Sequence, residues 1–200
     1  MLRRESAALV VIDVQTRLLP QIYESEQVVR QIVRLIRGFQ ILKAPVLVTE
    51  QYRKGLGPTH RAIQHAASTE PDPADPFPAI AEGGPENLEG FHPIEKMTFS
   101  CAEHPPFLEE LEALDRRQLV LCGIEAHVCV LQTALNLIQA GFDTYIAADA
   151  ISSRDPRNVE IALRRMERAG AVPTSVEMGI FEMLHACGTD EFKEWLKFIR

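Results

Sequence analysis

Cysteine, positive charge and long apolar runs are all scarce in this chain of 200 residues, and each shortage excludes a class of protein. The four cysteines, Cys101, Cys122, Cys129 and Cys187, form no CxxC pair and no zinc-like spacing. Their even number leaves a secreted disulfide pair formally open. Against it, Arg3 and Arg4 precede an apolar run that Asp13 cuts off too early for the core of a signal peptide. Reduced thiols and a cytoplasmic location are therefore expected. No stretch approaches the ~18 uninterrupted apolar residues of a membrane span, so no membrane partner is expected. Lys and Arg number 21 against 28 Asp and Glu, a net charge of -7, which argues against nucleic acid or an anionic membrane surface as a general partner. Arg30, Arg34 and Arg37 do cluster, but at i, i+4 and i+7 they read as the solvated face of an amphipathic helix. No internal repeat or low-complexity tract is visible.

The chain has enough apolar residues for a packed core, 46% of the total, and a length that fits one domain, 1–200. Short apolar runs alternate with helix-like segments. AALVVID (7–13), APVLVTE (44–50), QLVLCG (118–123) and DTYIAADA (143–150) read as buried strands. FHPIEK (91–96) is a weaker strand because of Pro93, and AVPTS a last short one. Helices are predicted over 25–39 with Ser25 as N-cap, over PPFLEELEALD (105–115) with Pro at its start, over 127–140 closed by Gly141, and over 155–170. The segment 51–90, rich in Pro and Gly, is a long loop insertion with room for one short helix at PTHRAIQHA. One or two further helices fill the C-terminal tail, where Phe192, Trp195, Leu196 and Ile199 form an apolar stripe that serves either the core or a subunit contact. The pattern predicts an α/β fold, a mostly parallel sheet covered on both faces by helices.

Ligands of such sheets bind at the carboxyl ends of the strands. Asp13 ends the first strand, Lys96 ends the third and Cys129 follows the fourth, so all three fall on that edge. A thiol in a first helical turn feels the positive end of the helix dipole, which favours the nucleophilic thiolate. Asp13 is placed to take its proton, and Lys96 to hold Asp13 and add positive potential. On this reading Cys129 is expected to be the most readily alkylated of the four thiols. The plain structural alternatives are a strand-end Asp serving a turn, a surface lysine and a buried inert thiol. Cys101, five residues after Lys96, is the rival nucleophile, whereas Cys122 reads as core and Cys187 as packing or a helix end. Gln15, Arg17, Gln51 and Tyr52 follow strand ends and are candidates to face substrate. His127 is either a pocket residue that moves protons or a polar helix-start residue.

The segments LVVIDVQ, VTEQYRKGLG, EKMTFS, CGIEAHVCVLQTALNLIQAGFDTYIAADAISSR and RMERAGAVPTSVEMGIFEML together resemble the isochorismatase-like cysteine hydrolases, from end to end of the chain. Within that family they resemble a branch of isochorismatase-domain proteins whose substrates are mostly unassigned. The resemblance implies a three-layer α/β/α fold with six strands, a catalytic triad of Asp13 as base, Lys96 as its electrostatic partner and Cys129 as nucleophile, and a homo-oligomer, dimer or tetramer. It also implies a non-proline cis peptide at Ile124–Glu125, with the backbone N–H groups of Glu125 and Cys129 forming an oxyanion hole. Gly123, lacking a side chain, leaves room for that turn.

One departure bears on function. Nicotinamidases of this superfamily carry an Asp and His residues in the loop after the second strand that bind a metal ion. Here the loop reads TEQYRKGLGPTH, with His60 its only His and no Asp, so neither a metal nor another cofactor is expected. The function expected is a metal-independent cysteine hydrolase of a small amide, imide or related molecule, working through a thioester on Cys129. Two alternatives stand beside it: an oligomeric binding or scaffold protein with weak catalysis, and a vinyl-ether hydrolase of the isochorismate type. A redox thiol protein would need a resolving Cys beside Cys129, and Cys122 in the strand is poorly placed for that.

Overall fold

Strand β1 (Ala7–Ile12) is buried at every position. Ala7, Leu9 and Val11 join one hydrophobic cluster while Ala8, Val10 and Ile12 join another, as the two-residue period of a strand requires. A strand apolar on both faces needs cover on both. The first cluster is completed by α1 (Ser25–Ile41), α3 (Arg61–Ser68), α7 (Val176–Leu184) and α8 (Asp190–Trp195). The second is completed by α4 (Pro105–Ala113), α5 (Leu131–Gln139) and α6 (Pro156–Ala169). The result is the three-layer α/β/α architecture that the sequence predicts. This computed structural model describes residues 1–72, 74 and 87–199. The Pro-rich centre of the predicted 51–90 insertion, residues 73 and 75–86, lies outside them; its flanks hold α2 (Arg53–Leu56) and α3.

The remaining strands are β2 (Val46–Gln51), β3 (Ile94–Lys96), β4 (Gln118–Ile124), β5 (Asp143–Ser152) and β6 (Val172–Thr174). All neighbours are parallel, in the order β3-β2-β1-β4-β5-β6. The chain leaves β1 toward β2 on one side and returns past it to β4 on the other. The strand order therefore reverses between β1 and β4, and the crevice above their carboxyl ends is the expected ligand site of a doubly wound sheet.

Several local expectations are corrected. Ser25 is the first helical residue of α1, not its cap: Glu24 holds the cap position with φ 51° and offers no side-chain cap. Strand β3 shrinks to the three residues after Pro93, whose ring nitrogen has no hydrogen to give to a ladder. Arg37 does not face solvent. It is 2% exposed and donates to Ala66 O at 3.1 Å and to Thr69 O at 2.5 Å, tying α1 to the end of α3. Its burial lowers its pKa, an effect the charges of Glu70 and Asp72 oppose.

Part of the C-terminal stripe packs back on the core. Trp195 is fully buried, with Phe198 beside it in the same cluster and Ile199 packed against them. Gly38 in α1 makes room: a Cβ there would overlap Ile180 and lie 3.3 Å from the Trp195 ring. Among the described residues no helix is long and apolar enough to cross a membrane.

Candidate active site

Parallel pairing sets the site out before any side chain is considered. Ile12 lies in register with Thr49 of β2 and with Gly123 of β4, and Gln51 lies in register with Lys96 of β3. The ends of four adjacent strands thus surround Asp13. Asp13 leaves β1 in the left-handed region, φ 54°, with its N–H donating to Thr49 O at 3.2 Å and its side chain wholly buried.

Both carboxylate oxygens of Asp13 are held. Lys96 Nζ donates to Oδ2 at 2.7 Å and Thr49 Oγ1 donates to Oδ1 at 2.7 Å. The Lys96 ammonium spends its other two donors on Thr98 O at 3.1 Å and Phe99 O at 3.2 Å, so its capacity is full. Such completeness matters, because a buried ion pair is tolerable only when its remaining hydrogen-bonding groups are satisfied. Burial pulls the Lys96 pKa down, but the attraction of the Asp13 carboxylate outweighs it and the pKa is raised.

The thiol arrives from the opposite side. Gly123 has φ 117°, and a Cβ at that position would run into the backbone of Ile12. The Ile124–Glu125 peptide bond is cis. Val128 and Val130 both donate their N–H to Glu125 O, at 3.1 and 3.3 Å, which winds Ala126–Val130 into a wide π turn that runs on into α5. Cys129 sits in this turn, 5% exposed, with Sγ donating to Gln51 Oε1 at 3.8 Å and with the Asp13 carboxylate close enough to act on its titration. The thiolate expected from the helix start is not favoured at rest. Burial raises the Cys129 pKa first, and the Asp13 charge raises it further; Lys96 opposes them and loses. Cys129 therefore rests as a thiol next to a carboxylate that can take its proton.

That correction extends to the expected order of alkylation. Cys187 is exposed, whereas Cys101 and Cys122 are wholly buried and Cys129 nearly so, which puts Cys187 first for a small reagent. Cys122 belongs to the cluster on the other face of the sheet from Cys129, with Sγ 3.8 Å from Val10 O, so it is no resolving partner. Cys101 lies nearer than the sequence indicates. Its Sγ is 3.8 Å from Thr49 Oγ1 and its N–H donates to Thr133 Oγ1 at 2.9 Å; burial pushes its pKa up to about 11. Without exposure it has no route to a substrate.

The remaining candidates separate into supports and rim. Gln15 is fully buried and acts as a brace: its Nε2 donates to Gly57 O at 2.6 Å and its Oε1 accepts from Gln51 N at 2.8 Å. Arg17 is spent on the carbonyls of Lys54 and Gly55, at 2.9 and 3.2 Å. The Glu125 carboxylate accepts from Arg154 N at 2.9 Å and Nε at 3.1 Å, so its side chain secures the loop after β5. His127 Nδ1 lies 3.0 Å from Ser153 Oγ on that same loop. Gln51 is half-buried over the thiol, and Tyr52 is exposed at the rim with its N–H on Lys96 O at 3.0 Å. His60 caps α3 by accepting from Ala62 N at 3.3 Å. Among the described residues no three His, Cys, Asp or Glu side chains gather as a metal-binding group. Sequence reasoning missed Thr49; the signal available was a hydroxyl near the end of the apolar run APVLVTE, on the strand next to β1.

An acid, a lysine and a thiol converging at the switch point of a doubly wound sheet define an α/β protein of the isochorismatase-like hydrolase fold. Residues 7–178 match the Isochorismatase domain, and the chain belongs to that family of hydrolases. It is 33% identical over 197 residues to isochorismatase domain-containing protein 2B of Mus musculus, an alignment covering 98% of this chain and 82% of the mouse one. Among solved structures it resembles the MAR1 ribonuclease of Caenorhabditis elegans, with 32% identity, a TM-score of 0.82, and coverage of 99% of this chain and 91% of that one. The fold recurs in the YcaC protein of Escherichia coli, described as an octameric hydrolase of unknown specificity, at 21% identity and a TM-score of 0.78 over 92% of this chain and 82% of that one.

Proposed function

We propose that this protein is a metal-independent cysteine hydrolase that cleaves a small amide, imide or related molecule through a thioester on Cys129. The observation that carries the proposal is the buried Asp13 carboxylate, fixed on one oxygen by Lys96 and on the other by Thr49, beside a protonated Cys129. Asp13 takes the S–H proton as sulfur bonds to the substrate carbonyl carbon. The carbonyl oxygen gains negative charge, which the backbone N–H groups of Glu125 and Cys129 stabilise. The C–N bond then breaks, and the proton on Asp13 goes to the leaving nitrogen, which departs as ammonia or amine. A water next gives its proton to Asp13 and its oxygen to the thioester carbon. The C–S bond breaks, and the sulfur recovers that proton. The raised thiol pKa suits this order, because proton transfer to a fixed base replaces a standing thiolate.

The C. elegans relative is named a ribonuclease, which gives RNA cleavage as a second reading for this chain. Phosphodiester cleavage calls for cations free to meet phosphate. Here Lys96 has all three donors engaged and the net charge is -7, so the amide reading is favoured.

A homo-oligomer, dimer or tetramer, belongs to the same proposal. Its support rests less on the C-terminal stripe, whose Trp195 is buried in the core, than on the rim of the site. There Met97 is 68% exposed, Phe99 52% and Tyr52 46%, an apolar border beside a thioester that must be kept from bulk water. Light scattering that returned 22.4 kDa would remove this part. The cytoplasmic location expected from the cysteine usage stands on the same footing.

The hydrolase reading is tested by intact-protein mass spectrometry after incubation with a panel of small amides, with and without EDTA. An acyl adduct that maps to Cys129, disappears in Cys129→Ala and survives chelation is the expected result. An adduct on Cys101, or one that needs added metal, overturns it.

A further inference from the structure

The hydrolase reading leaves open how a scissile group is chosen, and the carboxamide of Gln51 bears on that choice. Its main chain is fixed from two sides. The Gln51 N–H donates to Gln15 Oε1 at 2.8 Å, and Gln15 is itself wholly buried and anchored on Gly57 O. Gln51 also lies in register with Lys96 at the end of β3. From this rigid root the side chain extends over the thiol, with Oε1 accepting from Cys129 Sγ at 3.8 Å, while Nε2 carries no hydrogen bond among the described residues. Among the described residues the thiol is the one group bonded to this half-buried carboxamide, so Oε1 is released to meet whatever adds to the sulfur once the S–H proton has left.

We propose that Gln51 selects substrates that carry an N–H on the scissile bond: primary or singly substituted amides and N–H imides, in preference to esters. This rests on the hydrolase reading. When sulfur has added to the carbonyl, the nitrogen is tetrahedral and must turn its lone pair toward the proton on Asp13 before it can leave. Gln51 Oε1 accepts from the N–H of that nitrogen and so fixes its rotation, leaving the lone pair directed at Asp13. An ester oxygen has no hydrogen to give. It meets the Gln51 oxygen lone pair to lone pair, and it loses the benefit the amide receives. Gln51 thus touches the leaving group, whereas the Glu125 and Cys129 N–H groups serve the carbonyl oxygen common to both classes.

The test uses matched pairs of primary amide and methyl ester with the same acyl part, varied from acetyl to phenylacetyl. The rate of Cys129 acylation is followed by intact mass in wild type, Gln51→Met and Gln51→Ala, with folding checked by thermal midpoint. The amide-to-ester rate ratio is expected to fall about tenfold in both variants, the size of one lost neutral hydrogen bond. A ratio unmoved in both variants overturns the role given to Gln51, including the case where amide and ester slow together, which would make it an oxyanion group. No adduct on wild-type Cys129 from any pair overturns the hydrolase reading itself, so the two failures are told apart.

Discussion

The turn after β4 and the segment after β2 both deliver groups to Asp13, yet they are held in opposite ways. The turn after β4 is short and local. Gly123, the cis bond and the π turn place Cys129 within a few residues of the strand end, and the Glu125 carbonyl collects two N–H groups to close it. The β2 side is long-range. Lys96 reaches Asp13 across 83 positions of sequence, and the stretch from Glu50 to Gln64 is held by buried side chains bonded to backbone. Glu50 accepts from Thr59 N–H at 2.6 Å, Gln64 donates to Thr59 O at 2.6 Å and Gln15 ties Gly57 to Gln51. Backbone shape thus places the thiol, while buried polar bonding places the carboxylate. Damage to the first is expected to be steric, and damage to the second electrostatic.

The largest effect is expected on the local side. Gly123→Ala adds a Cβ that strikes Ile12 in a conformation L residues rarely adopt, so a loss of about 4–5 kcal/mol or more is expected. Urea titration and soluble yield measure it; wild-type stability would show that the β4 turn yields more easily than its packing indicates.

Lys96→Met tests the other side. It strands the Asp13 charge in the interior, and about 3–5 kcal/mol of stability should be lost. The Cys129 titration should also move further up, because Lys96 is the group that lowers it. A variant as stable as wild type, with an unchanged thiol titration, would reduce the pair to packing.

Alkaline pH probes both sides together. A group whose folded pKa lies above its unfolded one contributes fully below the unfolded value and loses that contribution as pH rises toward the folded value. Burial first, then the Asp13 charge, lifts Cys101 from 9.0 to about 11, and Cys122, Cys129 and Lys96 are raised as well. Stability should therefore hold to about pH 9 and decline above it, with Cys101 alone accounting for about 2–3 kcal/mol by pH 11. Urea midpoints at pH 8, 9, 10 and 11 check this, and a flat profile counts against protonated buried thiols.

The smallest effect belongs to Thr49→Val. Asp13 Oδ1 loses its donor while the shape of the side chain is kept, so about 1–2 kcal/mol of stability should go. Cys129 acylation should slow several-fold, because a carboxylate held at one oxygen can turn from the thiol. Acylation at the wild-type rate would leave Lys96 as sufficient support.

Much of the comparison was legible in the chain. Asp13, Lys96 and Cys129 stood out because an apolar strand that ends in a polar group marks the sheet's carboxyl edge, whatever the strand order. Thr49 escaped notice because its importance depends on which strand lies beside β1. Arg37 was misplaced because helical periodicity cannot tell solvent from a later segment folded over the same face. The thiolate expected at Cys129 followed from the helix dipole alone, and burial and the Asp13 charge, both products of tertiary contact, outweigh it.

The class of fold follows from the chain alone, since apolar strands that alternate with amphipathic helices call for a sheet covered by helices on both sides. The sequence also determined which chemical groups were available at one edge, because they sit where periodic segments end. Tertiary structure alone decided their states: which oxygen of Asp13 each partner holds, that Cys129 rests protonated, that Gln15 braces and Gln51 faces the thiol, and that Trp195 belongs to the core. The physical reason is that hydrogen-bond partners and burial are set by residues tens of positions apart, brought together through strand register. Local sequence carries no record of those distances.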